Sequence, residues 1–218
     1  LGLGCGIPTA FIQIKEGDTV LDLGSGAGND CFVAREMVGT SGKVMGVDMT
    51  DVMIDKAREN ADKLNFNNVE FRKGDIENLP IGGNQIDVVI SKCVLNLVPD
   101  KEKAFSETYR VLKPGGAFSV SDVVLKGELP DNLKNDAEMY AGCVSGAIQM
   151  TDYLNIINQT GFTDIKVQKE VVVDLPDAIL SKYVLAIEME DFKSGKVGIY
   201  SITVSATKPE CTPGGGCC

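Results

Sequence analysis

The sequence predicts an α/β protein organised around a doubly wound, mostly parallel sheet. Apolar, strand-like runs alternate with helical segments from residue 19 to 125, which is how βαβ units read in sequence. The first of these runs breaks sharply into Asp22-Leu23-Gly24-Ser25-Gly26-Ala27-Gly28, a tight turn of the kind that opens such sheets. A chain of 218 residues that is 44% hydrophobic can also bury one sizeable core.

Residues 19–23 are β-branched and apolar and read as a buried strand. Asn29 is expected to cap a helix running to Val38, with Asp30 favourable in its first turn. A second strand, 43–47, ends at Asp48. Thr50 is then placed to cap a helix over 51–64, with Val52, Ile54, Ala57, Ala61 and Leu64 as its apolar side. Strands follow at 69–72 and 86–90, separated by a loop containing Pro80 and Gly82-Gly83. Pro99 and Asp100 introduce a helix to Leu112, stopped by Lys113-Pro114-Gly115-Gly116, and 117–125 is a fifth strand. The rhythm then changes. Helices are expected over 130–140, over 151–160 with Thr151 as cap, and over 177–187; strands are expected over 165–173 and 198–206. Residues 209–218, with Gly214-Gly215-Gly216, read as a flexible tail.

Composition narrows the function. With 21 Lys plus Arg against 31 Asp plus Glu, the net charge of −10 opposes a phosphate-binding surface, so no nucleic-acid partner is expected. No apolar stretch is long enough to span a membrane, and residues 1–11 lack the pattern of a secretory leader, so cytoplasmic life is expected. The chain starts without Met, as a fragment or processed chain does. Histidine is absent, which excludes His bases, His-containing triads and imidazole metal sites. Seven cysteines, at 5, 31, 93, 143, 211, 217 and 218, do not suit a secreted disulfide scaffold in a chain this apolar.

Glycines let a backbone leave a strand abruptly and approach a ligand closely, which by itself indicates a nucleotide-like cofactor. Asp48, about twenty residues beyond the turn, can accept hydrogen bonds from both ribose hydroxyls. Asp22 is a carboxylate at an apolar strand end, costly unless paired or used to anchor backbone N–H groups. Cys93 follows the fourth strand, on the edge where open α/β sheets bind ligands. Cys143 falls in a loop-rich insertion, and either cysteine alone also reads as a small buried hydrophobe.

These motifs, together with Gly46-Val47-Asp48-Met49, Gly74-Asp75-Ile76 and Arg110-Val111-Leu112-Lys113-Pro114-Gly115-Gly116, resemble the Class I S-adenosylmethionine-dependent methyltransferases. The resemblance covers residue 20 to about 125 and more loosely the rest. It implies a Rossmann-like sheet of seven strands, one antiparallel, with a helical and loop C-terminal elaboration. It also implies that Gly24 and Gly26 pass beneath the methionine part of S-adenosylmethionine, with Ser25 between them among the cofactor-binding residues. Asp22 would engage its amino group, Asp48 the ribose, and Met49, Asp75 and Ile76 the adenine. Met49 and Ile76 read equally well as core.

Gly4-Cys5-Gly6 with Pro8, Gly28-Asn29-Asp30-Cys31-Phe32, Ser91 to Asp100 with Cys93, and Gly142-Cys143 with Gly146-Ala147 look like the arsenite methyltransferase branch. That resemblance implies trivalent arsenic, presented as a thiol adduct, held by Cys93 and Cys143, and leaves Cys31 open as a third ligand. Cys5 and Cys31 would form a thiol–disulfide relay restored by an external thiol or a thioredoxin-like protein. Lys92 departs from the Asn common at its position. On this reading residues 1–125 are the cofactor-binding core with an N-terminal Cys segment. Residues 126–208 supply the acceptor-site elaboration and the last strands of the same domain. A quinone or phenol methyltransferase, and a non-catalytic arsenic- or metal-binding thiol protein, fit the same residues.

Overall fold

The computed structural model describes residues 6–129, 144, 146–173, 192 and 194–210. Its strands are β1 (Thr19–Leu23), β2 (Lys43–Asp48), β3 (Val69–Lys73), β4 (Ile86–Lys92), β5 (Leu112–Lys126), β6 (Thr163–Val172) and β7 (Gly198–Thr207). Its helices are α1 (Asn29–Val38), α2 (Asp51–Leu64), α3 (Lys101–Val111) and α4 (Met150–Gln159), preceded by a 3-10 turn at Pro8–Phe11. One sheet holds all seven strands in the order β3-β2-β1-β4-β5-β7-β6. Pairing is parallel from β3 to β5, and β7 runs against both β5 and β6. The chain winds outward from β1 to β3 and returns to β4 on the other side of β1. That reversal places a crevice beyond the carboxyl ends of β1 and β4.

Alternation along β1 feeds two cores. Leu21 and Leu23 join Val89, Phe105, Phe118, Tyr153 and Ile157 on the face covered by α3 and α4. Val20 joins Ala34, Val38, Ile54, Ala57, Phe71 and Ile90 beneath α1 and α2. Phe105 packs edge-on to Tyr153 at 5.5 Å, and Phe118 to Phe162 at 4.8 Å. Each such side chain taken fully from water contributes about 1.5–3 kcal/mol before entropy is counted. Asp22 occupies the α1 face next to Val20, where an apolar residue would continue the pattern.

Several expected helix starts are corrected. Gly28, not Asn29, is the N-cap of α1, because the chain enters with a φ of 93°. A Cβ there would also stand 2.7 Å from Phe71 and 2.8 Å from Phe32. Thr50 holds the N-cap position of α2 without capping it, since its hydroxyl turns to the Asp48 carboxylate. Thr151 lies inside α4, whose N-cap is Gln149. The buried stripe of α2 is narrower than expected: Ile54, Ala57 and Ala61 are covered, whereas Val52 and Leu64 face outward. Asp100 does cap α3, its side chain accepting from the Lys103 N–H at 2.9 Å. The Lys113-Pro114-Gly115-Gly116 break lies inside β5, which starts at Leu112 directly after α3. The helices expected over 130–140 and 177–187 and residues 211–218 of the expected tail lie outside the described residues. Among the described residues, no helix is long and apolar enough to cross a membrane.

Candidate active site

The glycine turn is anchored by backbone bonds to the neighbouring strand. Gly24 and Ser25 both donate to the Val47 carbonyl, at 2.8 and 3.0 Å, and Gly28 donates to Ser25 at 2.9 Å. Gly24, Gly26 and Gly28 all have positive φ, where a Cβ is strained. At Gly24 a Cβ would meet Val94 at 2.4 Å, whereas nothing lies within 4 Å of one at Gly26. The backbone at Gly26 is therefore exposed to an approaching group. The Ser25 hydroxyl is buried without a hydrogen-bond partner.

Asp48 sits at the end of β2 with one oxygen on the Gly26 N–H at 3.0 Å and the other on the Thr50 N–H at 2.9 Å. It braces the turn and keeps further acceptor capacity for hydroxyl donors. Beside it Met49 is 76% exposed, so its core-packing alternative is excluded. Ile76, by contrast, is buried in the main core. Asp75 is exposed, and one of its oxygens accepts from the Glu77 N–H at 2.9 Å.

Asp22 is 3% exposed. Its donor is the Cys31 thiol at 3.4 Å, rather than a backbone N–H. Burial, reinforced by the nearby Asp30 and Asp48 charges, pushes its carboxyl up to about 8. Burial and the Asp22 charge likewise push the Cys31 thiol up, so Cys31 is a protonated donor facing the turn.

Cys93 ends β4 in a left-handed conformation, φ 54°, with its N–H on the Ser121 carbonyl at 2.7 Å. It is disulfide-bonded. The next residue, Val94, is the one packed on Gly24, so the thiol-bearing turn and the glycine turn touch. Cys5 and Cys143 lie outside the described residues, but their neighbours do not. A Cβ on Gly6 would stand 2.7 Å from the Ser121 hydroxyl and 2.4 Å from that of Thr203. A Cβ on Gly146 would clash with the Asn96 carbonyl. Segments from three distant parts of the chain thus converge around Cys93. Among the described residues, no group of three or more acidic or Cys side chains forms a metal cage.

A second buried carboxyl escaped sequence reasoning. Asp122 on β5 is fully buried and accepts from the Tyr153 hydroxyl at 3.0 Å, the Val123 N–H at 3.1 Å and the Asn96 N–H. Burial pushes it up to about 7. The signal was present: Asp122 interrupts an apolar strand just as Asp22 does.

A carboxyl held near 8 binds a proton between about pH 4 and 8 that the unfolded chain has released, so fold stability falls as pH rises through that window. Asp22→Asn removes this loss. Urea unfolding of ligand-free protein should show little difference from wild type at pH 4, and a gain above about 2 kcal/mol at pH 8. A left-handed non-glycine residue costs about 1–2 kcal/mol, so under reducing conditions Cys93→Gly should unfold at a higher urea midpoint than Cys93→Ala, the reverse of the usual ranking.

A methyltransferase domain model matches residues 14–161. An arsenite methyltransferase of Halobacterium salinarum is 50% identical over 167 residues, covering 77% of this chain and 43% of that protein. Another, from Aquipseudomonas alcaligenes, is 38% identical over 186 residues, covering 82% and 53%. The chain thus spans about half the length of these relatives. The crystal structure of CrArsM, an arsenic (III) S-adenosylmethionine methyltransferase from Chlamydomonas reinhardtii, matches with a TM-score of 0.76 and 35% identity, covering 96% of this chain and 68% of that one. Fold, glycine turn and relatives agree: the chain belongs to the S-adenosylmethionine-dependent methyltransferases, in the arsenite methyltransferase family.

Proposed function

We propose that the protein methylates trivalent arsenic held by cysteine thiolates, using S-adenosylmethionine as donor. The observation that supports this reading is the packing of Val94, the residue after Cys93, on Gly24, which brings the backbone of the Cys93 turn against the glycine turn. The residues suit that donor. Gly26 offers bare backbone, Ser25 a buried hydroxyl without a partner, Asp48 acceptor capacity for ribose hydroxyls, and Met49 an exposed apolar surface for adenine. Asp22 would take the amino group, and Asp75 the adenine edge. When bound, S-adenosylmethionine supplies an electrophilic sulfonium methyl.

Cys93, with Cys143 as its partner ligand, would present arsenic as a soft centre bound by soft donors. The arsenic lone pair forms the new As–C bond while the C–S bonding pair leaves on the thioether sulfur. No proton is removed from the attacking atom, so a site without histidine suffices. Arsenic is thereby formally oxidised by two electrons, and two thiolates can return them by forming a disulfide. An external thiol or thioredoxin-like protein would then reduce that disulfide, which suits a reducing, cytoplasmic compartment. Cys31 serves this scheme through Asp22 in the conformation described; a relay step with Cys5 would require its thiol to leave that hydrogen bond.

Reduced protein supplied with S-adenosylmethionine, arsenite and a dithiol should yield methylated arsenicals by mass spectrometry. Cys93→Ser should lose this while binding the cofactor normally. Turnover of a phenol or quinone with none of arsenite would overturn the reading.

Pairing the cofactor's ammonium with Asp22 favours the ionised carboxylate, so cofactor binding near pH 7 should expel about one proton. Calorimetry in buffers of different ionisation enthalpy measures this. Asp22→Asn should abolish the release, and an unchanged value would remove Asp22 from the amino-group site.

A further inference from the structure

The buried polar cluster behind Cys93 is used by no step above. Asp122 receives the Tyr153 hydroxyl from α4 and the Asn96 N–H from the loop that follows Cys93. The carbonyl of that same Asn96 accepts from Lys101 Nζ at 3.0 Å, and Lys101 also holds the Val98 carbonyl at 3.1 Å. Gly146 lies so close to the Asn96 carbonyl that no larger residue fits. Asp122 is next to Ser121, whose carbonyl holds the Cys93 N–H and whose hydroxyl pairs with Thr203 at 2.9 Å. Tyr153 on α4, Lys101 on α3 and Asp122 on β5 are all buried, where apolar residues would pack at less cost.

We infer that Asp122 and Tyr153 are positioning residues for the thiol site. Through the Asn96 peptide they lock the Cys93 turn, and through Gly146 they lock against it the segment that follows Cys143. The geometry is specific to this task. Asn96 is tethered through its N–H, in the peptide with Leu95, and through its carbonyl, in the peptide with Leu97, so the backbone is held on both sides of its Cα. Its carbonyl is also the surface on which the Gly146 segment rests. A soft ligand bridging two thiols on separate segments needs both held at a fixed separation, and arrangement before binding spares the cost of ordering them afterwards. The proposal rests on the arsenic–thiolate reading for its chemical purpose, but the mechanical claim stands on the hydrogen bonds alone.

The test uses full-length reduced protein without cofactor. Alkylation of individual cysteines by iodoacetamide is followed by peptide mass spectrometry, and binding of phenylarsine oxide is measured in parallel. Tyr153→Phe keeps the ring and its packing on Phe105 but removes the donor; Asp122→Leu removes the acceptor. Both should accelerate alkylation of Cys93 by about fivefold or more, the scale set by loss of one buried hydrogen bond, and leave buried Cys31 at its wild-type rate. Asp122→Asn keeps an acceptor oxygen for the Val123 N–H and an amide opposite the tyrosine hydroxyl, so its Cys93 rate should fall well below that of Asp122→Leu. The affinity for phenylarsine oxide should follow the same order. Unchanged Cys93 rates in Tyr153→Phe, or equal acceleration at Cys31 and Cys93, would overturn the proposal, the latter by showing general loosening. Failure of the arsenic reading is visible separately, as wild-type protein that does not bind phenylarsine oxide while its Cys93 rates still respond to the variants.

Discussion

Two carboxyl groups buried at the carboxyl edge of one sheet constrain the site. A β-strand end in a doubly wound fold is walled by apolar side chains, so Asp22 on β1 and Asp122 on β5 each carry a large desolvation cost. The fold answers the two costs differently. Asp122 receives a phenol hydroxyl and two backbone N–H groups, which is close to full satisfaction for a carboxyl held in place. Asp22 receives a single weak thiol donor and lies near two further acidic groups. One is finished by the protein, and on the proposed reading the other is finished by the ammonium group of the cofactor. That asymmetry separates scaffold from ligand site more sharply than burial does, since both are almost completely covered.

Backbone strain follows the same division. Positive φ values at Gly24, Gly26 and Gly28 cost little, because glycine tolerates them. Cys93 has no such licence, yet it adopts φ 54° at the end of β4. Its conformation is held by the Ser121 carbonyl before it and by the Asn96 peptide behind it. A strained residue persists only where its surroundings over-determine it. The polar cluster behind Cys93 supplies that determination.

The fold was legible because hydrophobic alternation and glycine breaks report on sheets directly. All five parallel strands, β1 to β5, were marked by apolar runs, and the strand bounds agree with the structure within two residues, except that β5 starts at Leu112 rather than at 117. Helix starts were less legible. Asn29, Thr50 and Thr151 are good capping types, but Gly28 and Gln149 hold the N-cap positions of α1 and α4, and Thr50, though at the N-cap of α2, gives its hydroxyl to the Asp48 carboxylate instead. Asp22 could be found since an acidic residue bordering a glycine turn is conspicuous. Asp122 sits in an equally apolar run without a motif beside it, and its partners come from residues 96 and 153. No local pattern announces a hydrogen bond between residues that far apart. The same limit applies to Met49, whose exposure separates ligand surface from core only once α2 is placed beside it.

Electrostatics link the two halves of the site. Asp30 and Asp48 repel a charge on Asp22, and Lys92 is the cation that opposes them there. In the ligand-free fold this repulsion is relieved by protonating Asp22. A cationic ligand relieves it instead by drawing the carboxyl into its ionised form. On the proposed reading, the donor arrives with both an ammonium and a sulfonium charge, and the spent cofactor keeps only the first. The acidic surroundings of the glycine turn therefore favour the donor over its product. Burial first, and then the same acidic surroundings, disfavour a free thiolate at Cys31, so that thiol stays protonated against Asp22. Cys93, held one residue before the contact with Gly24 and anchored from β5 rather than from β1, draws its support from the other half of the sheet. The division lets one edge of a single sheet keep a cation-seeking surface and a thiol-bearing turn side by side.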